Sequence, residues 1–431
     1  MKQGFWGFKV FLLVLIAISF GAAYSKMVSI PVRTPFAVPS VQPSEDAKPM
    51  FASRFVSSAK TRMVHAPSIV ELERGRLMAF WFAGTREGAK DVEIHSAEFQ
   101  PESQSWTPEQ TVVTRADTYR DTQRYVKKLG NPVVTRDPRG KLWLFFVSVS
   151  FGGWSCSSIN VSTSDDDGLH WSPIRKIITS PFLNISNLVK TVPFYYRDGT
   201  MGLPIYHEMV AKYGELLRLD HSGRVIHKTR LNSAWRALQP LVLVLSPENA
   251  MTYMRYGGGE APRLALKTRT GDSGRHWSLA QRSVLPNPDS AMAGVSLSEK
   301  YRFVVINNNQ QLRDDLTLLQ TRDDGQHWFE VYRFEHEHRY RRHSFAEGEF
   351  RAAIRRLISK TDSDFVASES LLSAIERIMC TGHPCWFQFE YPYVIQAGNG
   401  SFHLVYTWNQ TFIKHVVFNQ AWLDRQVPQD S

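Results

Sequence analysis

The chain is poor in cysteine. Three residues in 431, Cys156, Cys380 and Cys385, exclude the dense disulfide framework of a small secreted scaffold. Cys380 and Cys385 are close enough to bridge a small loop, which leaves Cys156 over. No Cys/His pairing of metal spacing accompanies them, so neither a metal nor a cofactor is expected. A basic stripe is also missing. The net charge is +10, but Lys and Arg are spread along the chain, with one local cluster at Arg339, Arg341 and Arg342. No nucleic-acid motif goes with the charge, so no nucleic-acid partner is expected, and a generally basic surface or affinity for acidic glycans is the better reading. Finally, no apolar run reaches the ~20 residues of a membrane span. The longest, Val10–Tyr24, has 15 residues. Lys2 and Lys9 flank its start, and Ala23-Tyr24-Ser25 places small residues before Lys26. Residues 1–25 therefore read as a signal peptide or an N-terminal membrane anchor, and the chain as exported: periplasmic, extracellular or membrane-anchored. Residues 26–55 carry Pro and Ser without a period and read as a linker, or as a tail that wraps the domain.

What is abundant is aromatic surface and a repeated turn. The chain has 12 Trp and 26 Phe, enough for a large core. Ser164-Asp165-Asp166-Asp167-Gly168-Leu169-His170-Trp171 reads Ser-x-Asp-x-Gly-x-x-Trp, and it recurs at Thr270–Trp277 and Thr321–Trp328. The Asp carboxylate can close a turn on backbone N–H groups, Gly supplies a positive φ, and Trp covers apolar surface. These residues build hairpin tips rather than chemistry. A second repeat runs beside them: strand, tight turn and strand at Pro67–Trp81, Pro132–Phe146, Pro193–Tyr206, Pro240–Tyr256, Gly294–Ile306 and Pro392–Trp408. Six such units predict an all-β, six-bladed β-propeller over residues 56–425, closed in a ring that leaves few sheet edges. Between about 335 and 386 the period changes. Phe345–Lys360 and Ala367–Met379 space apolar residues three and four apart, which predicts a helical insertion before the last blade, as a lid or as a packed rim decoration.

Inner strands of a propeller converge on its axis. The polar residues just ahead of each repeated Pro therefore share one patch: His65, Asn131, Lys190, Gln239, Asp289 or Ser290, and Glu390-Tyr391. Such a ring of polar groups is a ligand site by default. The loop Phe80–Glu93, with Arg86, Glu87 and Asp91, leaves the first hairpin toward that patch and supplies an Arg and carboxylates for an anionic sugar.

The three turn boxes resemble the Asp-boxes of the sialidase superfamily. The stretches Trp81–Gly88, Leu285–Ser290 and Tyr391-Pro392 are similar to its bacterial branch, over residues 60–334 and 387–418. The resemblance implies an exo-glycosidase that releases a terminal acidic sugar of sialic-acid type with retention, the glycan being the partner. In that chemistry a Tyr activated by a Glu attacks the sugar, an Asp serves as acid and base, and three Arg hold the sugar carboxylate. A neutral Tyr avoids the repulsion that a carboxylate nucleophile would meet, and the planar Arg fork binds a carboxylate in two places. Carried over, Tyr391 is the nucleophile, Asp91 the acid and base, and Arg255 and Arg313 two of the Arg. The family's Arg-Ile-Pro at the first strand is His65-Ala66-Pro67 here, with Arg86 as a replacement Arg. Ala237-Leu238 stand where its Glu is expected, with Glu208 or Glu390 as replacements. His65, Asn131, Lys190 and Gln239 complete the substrate-binding set. Two alternatives accompany this reading: a glycosidase or lyase for another acidic sugar, and a non-catalytic glycan-binding or scaffold propeller.

Overall fold

The computed structural model describes residues 2–28, 34–44, 48–180, 184–231, 236–337, 348–363, 365–380 and 385–426. Its strands form six antiparallel sheets of four or five strands. The first strands of the sheets lie around a ring and touch their neighbours, except that the third sheet meets the fourth through Met201–His207 and Tyr213–Leu219. The first strands are Met63–Glu71, Lys128–Arg136, the pair Leu188–Val189 and Phe194–Tyr195, Ala237–Val244, Ala293–Ser296 and Phe389–Gln396. Most are buried along their whole length, because blades flank them on both sides.

The ring is closed by residues from the two ends of the chain. Phe51–Phe55 pairs with Phe412–Phe418 and becomes the outer strand of the sixth blade, from Phe51 opposite Phe418 to Phe55 opposite Lys414. Of residues 26–55, read from the sequence as a linker or a wrapping tail, Phe51–Phe55 is thus a strand of the propeller. The described part of that segment is tied down by specific contacts. Phe36 is wholly buried between the rings of Phe194 (5.4 Å) and Tyr196 (5.3 Å). The Phe36 N–H donates to Pro247 O (2.8 Å), that of Gln42 to Gln396 Oε1 (2.9 Å) and that of Met50 to Asn419 Oδ1 (3.0 Å). Tyr196, Pro247 and Gln396 lie at the far ends of inner strands, so the segment straps the face opposite the strand starts.

The boxes are turns, as their spacing predicts. Asp166 Oδ1 accepts from the Ser164 hydroxyl (2.7 Å) and the His170 N–H (2.9 Å); Asp272 Oδ1 accepts from Thr270 Oγ1 (2.8 Å) and the His276 N–H (2.9 Å). Gly168, Gly274 and Gly325 hold φ of 86°, 82° and 72°, which a side chain would resist. Each box also carries a His whose Nδ1 faces the Asp, at 2.6 Å for His170 and 2.5 Å for His276.

The helical insertion is present as Glu349–Thr361 and Glu369–Cys380. Its apolar stripe, including Phe350, Ile354, Ile358, Leu372, Ile375 and Met379, is buried in one cluster with Phe55, Trp408 and Phe412 of the sixth blade. That burial makes it a packed rim decoration rather than a free lid. Cys380 and Cys385 are bonded (S–S 2.05 Å) and Cys156 is free. A further helix, Lys2–Val28, begins the chain, and the large apolar side chains described from Trp6 to Phe20 are exposed. No helix among the described residues is long and apolar enough to cross a membrane.

Ring closure generates a test. Phe55 stacks on Phe412 (4.3 Å) and meets the edge of Trp408 (5.6 Å). Phe55→Ala should cost about 3–5 kcal/mol of unfolding free energy, as buried Phe truncations do. Chemical denaturation followed by Trp fluorescence measures it, and a cost below 1 kcal/mol would show that closure does not depend on this strand.

Candidate functional site

The site begins with a repeated bulge. On four inner strands the pairing register shifts by one residue: between His65 and Ser68, Gly130 and Val133, Leu238 and Leu241, and Glu390 and Tyr393. Two residues there oppose one on the neighbouring strand. The first of the two takes a left-handed conformation, at Ala66 (φ 52°), Asn131 (45°), Gln239 (50°) and Tyr391 (54°). The second is Pro67, Pro132, Pro240 or Pro392. Proline has no N–H to give to the ladder, so its place in a bulge loses nothing. Asp289, just ahead of the fifth inner strand, is left-handed too (φ 57°). Non-glycine residues avoid this region, at about 1–3 kcal/mol each. The bulges turn side chains that would lie within a blade toward the axis.

There they form a circuit. Tyr391 accepts at its hydroxyl from Arg255 Nη1 (3.4 Å) and Gln239 Nε2 (3.5 Å). Arg255 Nε donates to Asp289 Oδ1 (2.6 Å), and its Nη1 to Gln239 Oε1 (3.3 Å). Arg313 Nη2 donates to the Asp289 carbonyl (2.7 Å), and its Nη1 pairs with Glu390 Oε1. Glu390 Oε2 stands 3.9 Å from His65 Nδ1, and the His65 ring packs edge-on against Tyr391 at 4.4 Å, closing the loop. A branch runs from Gln239 Nε2 to the Tyr206 hydroxyl (3.4 Å), which also accepts from Asn131 Nδ2 (3.1 Å). Lys190 sits beneath, with Nζ 5.5 Å from the Tyr391 ring, 5.4 Å from the Tyr393 ring and 3.4 Å from the Pro392 carbonyl. All six blades contribute.

Burial sets the charges. It pushes the Tyr391 phenol up, only partly opposed by Arg255 and Arg313, so the phenol is neutral at neutral pH. It pulls His65 down despite Glu390, leaving a neutral imidazole. Glu390 is also desolvated, but the guanidinium of Arg313, helped by that of Arg255, outweighs that and holds it below the usual carboxylate range. Arg255 stays protonated against its burial because the Asp289 carboxylate pairs with it. Lys190 has burial alone acting on it and falls to about 7.

Of the residues expected at the site, His65, Asn131, Lys190, Gln239, Arg255, Arg313, Glu390 and Tyr391 meet in this one patch. Glu208 lies at its edge, close enough for its charge to act with Arg255 and Asp289. Two others stand apart from the circuit. Arg86 is exposed. Asp91 is exposed, with Oδ2 accepting from the Thr85 N–H (2.9 Å) and Oδ1 from the Thr85 hydroxyl (2.9 Å), so its carboxylate closes the loop 85–91. The same loop instead brings Glu87 into range. Glu87 Oε1 accepts from Trp154 Nε1 (3.1 Å), and its charge acts on His65, Tyr391 and Glu208. Tyr206 and Glu87 carry no repeat signal in the sequence. Asp289 is in the convergent set, but its pairing with Arg255 is not readable there.

Two cavities flank the axis. One of ≈ 680 Å3 opens beside Glu208, lined also by Lys212, Arg236 and Gly257–Glu260. A larger one of ≈ 780 Å3 lies among His207, Tyr213, Arg230 and Trp277; neither cavity is lined by a circuit residue, so the chemistry is placed by the circuit itself.

Six blades with Asp-box turns define a β-propeller of the BNR-repeat type. A family model for the BNR repeat-like domain matches residues 75–404, and the chain belongs to that family. No curated protein sequence matches it. Among solved structures the chain is similar to the Hadza microbial sialidase Hz136, with TM-score 0.60 and 15% identity over 85% of this chain and 68% of that one. It is similar to the NanB sialidase from Streptococcus pneumoniae, with TM-score 0.59 and 10% identity over 93% and 72% of the two chains. It also resembles the intramolecular trans-sialidase from Ruminococcus gnavus, with TM-score 0.58 and 12% identity over 86% and 97%. At these identities the likeness is one of fold.

The buried amine generates a pH test. The Lys190 pKa falls from 10.5 unfolded to about 7 folded. Between those values the unfolded chain binds more protons, so stability rises with pH across the window; below about 7 the full cost of burying the charge is present. Lys190→Met should flatten that rise and be no less stable than the wild type at pH 7. Urea titrations at pH 7, 8.5 and 10 measure it, and an unchanged slope would contradict the assignment.

Proposed function

We propose that the protein is a sialidase-type exo-glycosidase that releases a terminal acidic sugar from a glycan. The observation that carries this reading is the axial circuit, in which two guanidinium groups and a neutral phenol share one patch. Arg255 spends its Nε and Nη1 groups on Asp289, Gln239 and Tyr391, which leaves Nη2 for a sugar carboxylate. Arg313 lies across Asp289 from it and supplies a second cation. Tyr391, uncharged and fixed by two donors, is the oxygen that attacks the anomeric carbon without repelling the sugar's own charge. Gln239 and Asn131 face the patch for sugar hydroxyls, Lys190 lies beneath it under the Tyr391 ring, and His65 and Glu390 hold Tyr391 and Arg313 in place. The apolar N-terminal segment supports export, with that segment removed as a signal or kept as a tether.

One observation favours a second reading, a non-catalytic glycan-binding propeller. The Tyr391 oxygen is met by Gln239 and Arg255, and by no carboxylate among the described residues. An amide and a cation position the phenol but do not take its proton.

A fluorogenic sialoside separates the two. Under the first reading it is turned over, Tyr391→Phe abolishes turnover, and Arg255→Lys lowers kcat/KM about 10–100-fold through loss of charge-assisted bonds worth about 1.5–3 kcal/mol. Saturable binding of an acidic oligosaccharide with no release, or turnover that survives Tyr391→Phe, contradicts it.

A further inference from the structure

Two histidines are buried at the seam where the ring closes. His403 lies on Phe402–Trp408 and His415 on Phe412–Phe418, and the second of these strands pairs with the closing strand Phe51–Phe55. His403 is 6% exposed and His415 0%. Their rings stack at 5.2 Å and 14°, with Nδ1 of His403 3.0 Å from Nε2 of His415. One hydrogen lies between these nitrogens, so one imidazole donates and the other accepts. The first blade covers the pair: Trp106 and Phe99 make edge contacts with the His415 ring at 5.3 Å and 5.7 Å.

An added proton finds no acceptor here. The other nitrogen of His415, Nδ1, is buried with no hydrogen-bond partner. A proton placed there would be an unsatisfied donor on a buried cation, which is costly without a partner charge. No carboxylate supplies that charge. Burial alone acts on His403 and brings its imidazole down to about 3. Burial also brings His415 far down, and the groups that act with it, His403 and Arg54, push in the same direction. The nearest carboxylates on the flanking strands are engaged elsewhere: Glu71 by the Gly398 N–H (2.8 Å), Glu98 by Arg76 (2.8 Å) and Glu390 by Arg313. Lys414, beside His415 in sequence, pairs with Glu335 (2.6 Å), and neither it nor His65 or His95 of the first blade acts on the pair.

Arg54 ties the pair to ring closure. It stands opposite His415 in the pairing of the closing strand, and its guanidinium lies over the Phe99 ring (5.2 Å). Its Nε is also buried without a partner. A charged His415 would face this cation directly across the strand pair, where like charges destabilise.

We propose that the His403–His415 pair is an acid-sensitive latch on the ring: a proton taken up by the pair releases Phe51–Phe55 from Phe412–Phe418 and parts the sixth blade from the first. The device is independent of what the axis binds. Above about 6.5, the ordinary imidazole value, both rings are neutral whether the seam is open or closed, and the latch holds. Below it the opened seam takes a proton that the closed seam refuses, so closure weakens as pH falls through the window down to about 3.

Hydrogen exchange followed by mass spectrometry at pH 7 and pH 5, corrected for intrinsic rates, tests the latch in the full chain. Each proton taken up should raise opening of Phe51–Phe55 and Phe412–Phe418 about 20–30-fold between those pH values, while Ala250–Tyr256 of the fourth blade keeps its protection. The double substitution His403→Phe with His415→Phe should abolish the response. Should that variant fail to fold, Arg54→Met decides: it keeps both imidazoles, removes the facing cation, and should shrink the response. No pH response in the closing strands, an equal loss in the fourth blade, a response that survives the double substitution, or one unchanged in Arg54→Met would overturn the proposal.

Discussion

The geometry of the axis depends on one backbone constraint: a residue with a side chain held left-handed immediately before a proline. Ala66, Asn131, Gln239 and Tyr391 all occupy it. The conformation is costly, about 1–3 kcal/mol at each position, and persists only where the surroundings over-determine it. Here they do. Each bulge lies in an inner strand covered by blades on both sides, and the proline removes a donor that the bulge would otherwise strand. Ring closure by Phe51–Phe55 keeps those blades in register. The strap through Phe36 works at the opposite face, tying the third and fourth blades.

The charges at the axis follow from that geometry. Arg255 with Asp289 and Arg313 with Glu390 are buried or half-buried pairs, cross-linked through the Asp289 carbonyl. Such pairs add little net stability, because desolvation consumes most of the attraction, but removing one partner is expensive. Their effect is orientation. They aim two guanidinium forks at a common point beside a phenol that burial keeps neutral, an arrangement assembled before any ligand arrives. Lys190, with no carboxylate acting on it, is the group most easily discharged.

Much of this was legible in the sequence, for local reasons. The boxes announce themselves because Asp, Gly and Trp each do a separate job within eight residues, as Thr270–Trp277 shows. The pre-proline positions could be read because the bulge is built from adjacent residues, so His65, Asn131, Gln239 and Tyr391 were placed at one patch from spacing alone. Non-local features were not legible. The pairing of Phe51 with Phe418 joins the two ends of the ring and leaves no periodic trace in a five-residue strand. Loop conformation was also hidden: nothing in Arg86–Asp91 reveals that Thr85 takes the Asp91 carboxylate while Glu87 turns toward Trp154. Tyr206 reaches the axis from a second strand, where the repeat pattern predicts only core.

The most direct measurement is a crystal structure with an acidic monosaccharide bound. The account predicts its carboxylate within hydrogen-bonding distance of Arg255 and Arg313, and its anomeric carbon roughly 3–3.5 Å from the Tyr391 oxygen, the range of a near-attack arrangement. A sugar bound in the cavity between Tyr213 and Trp277, or one on the axis whose carboxylate faces away from both Arg, would contradict it.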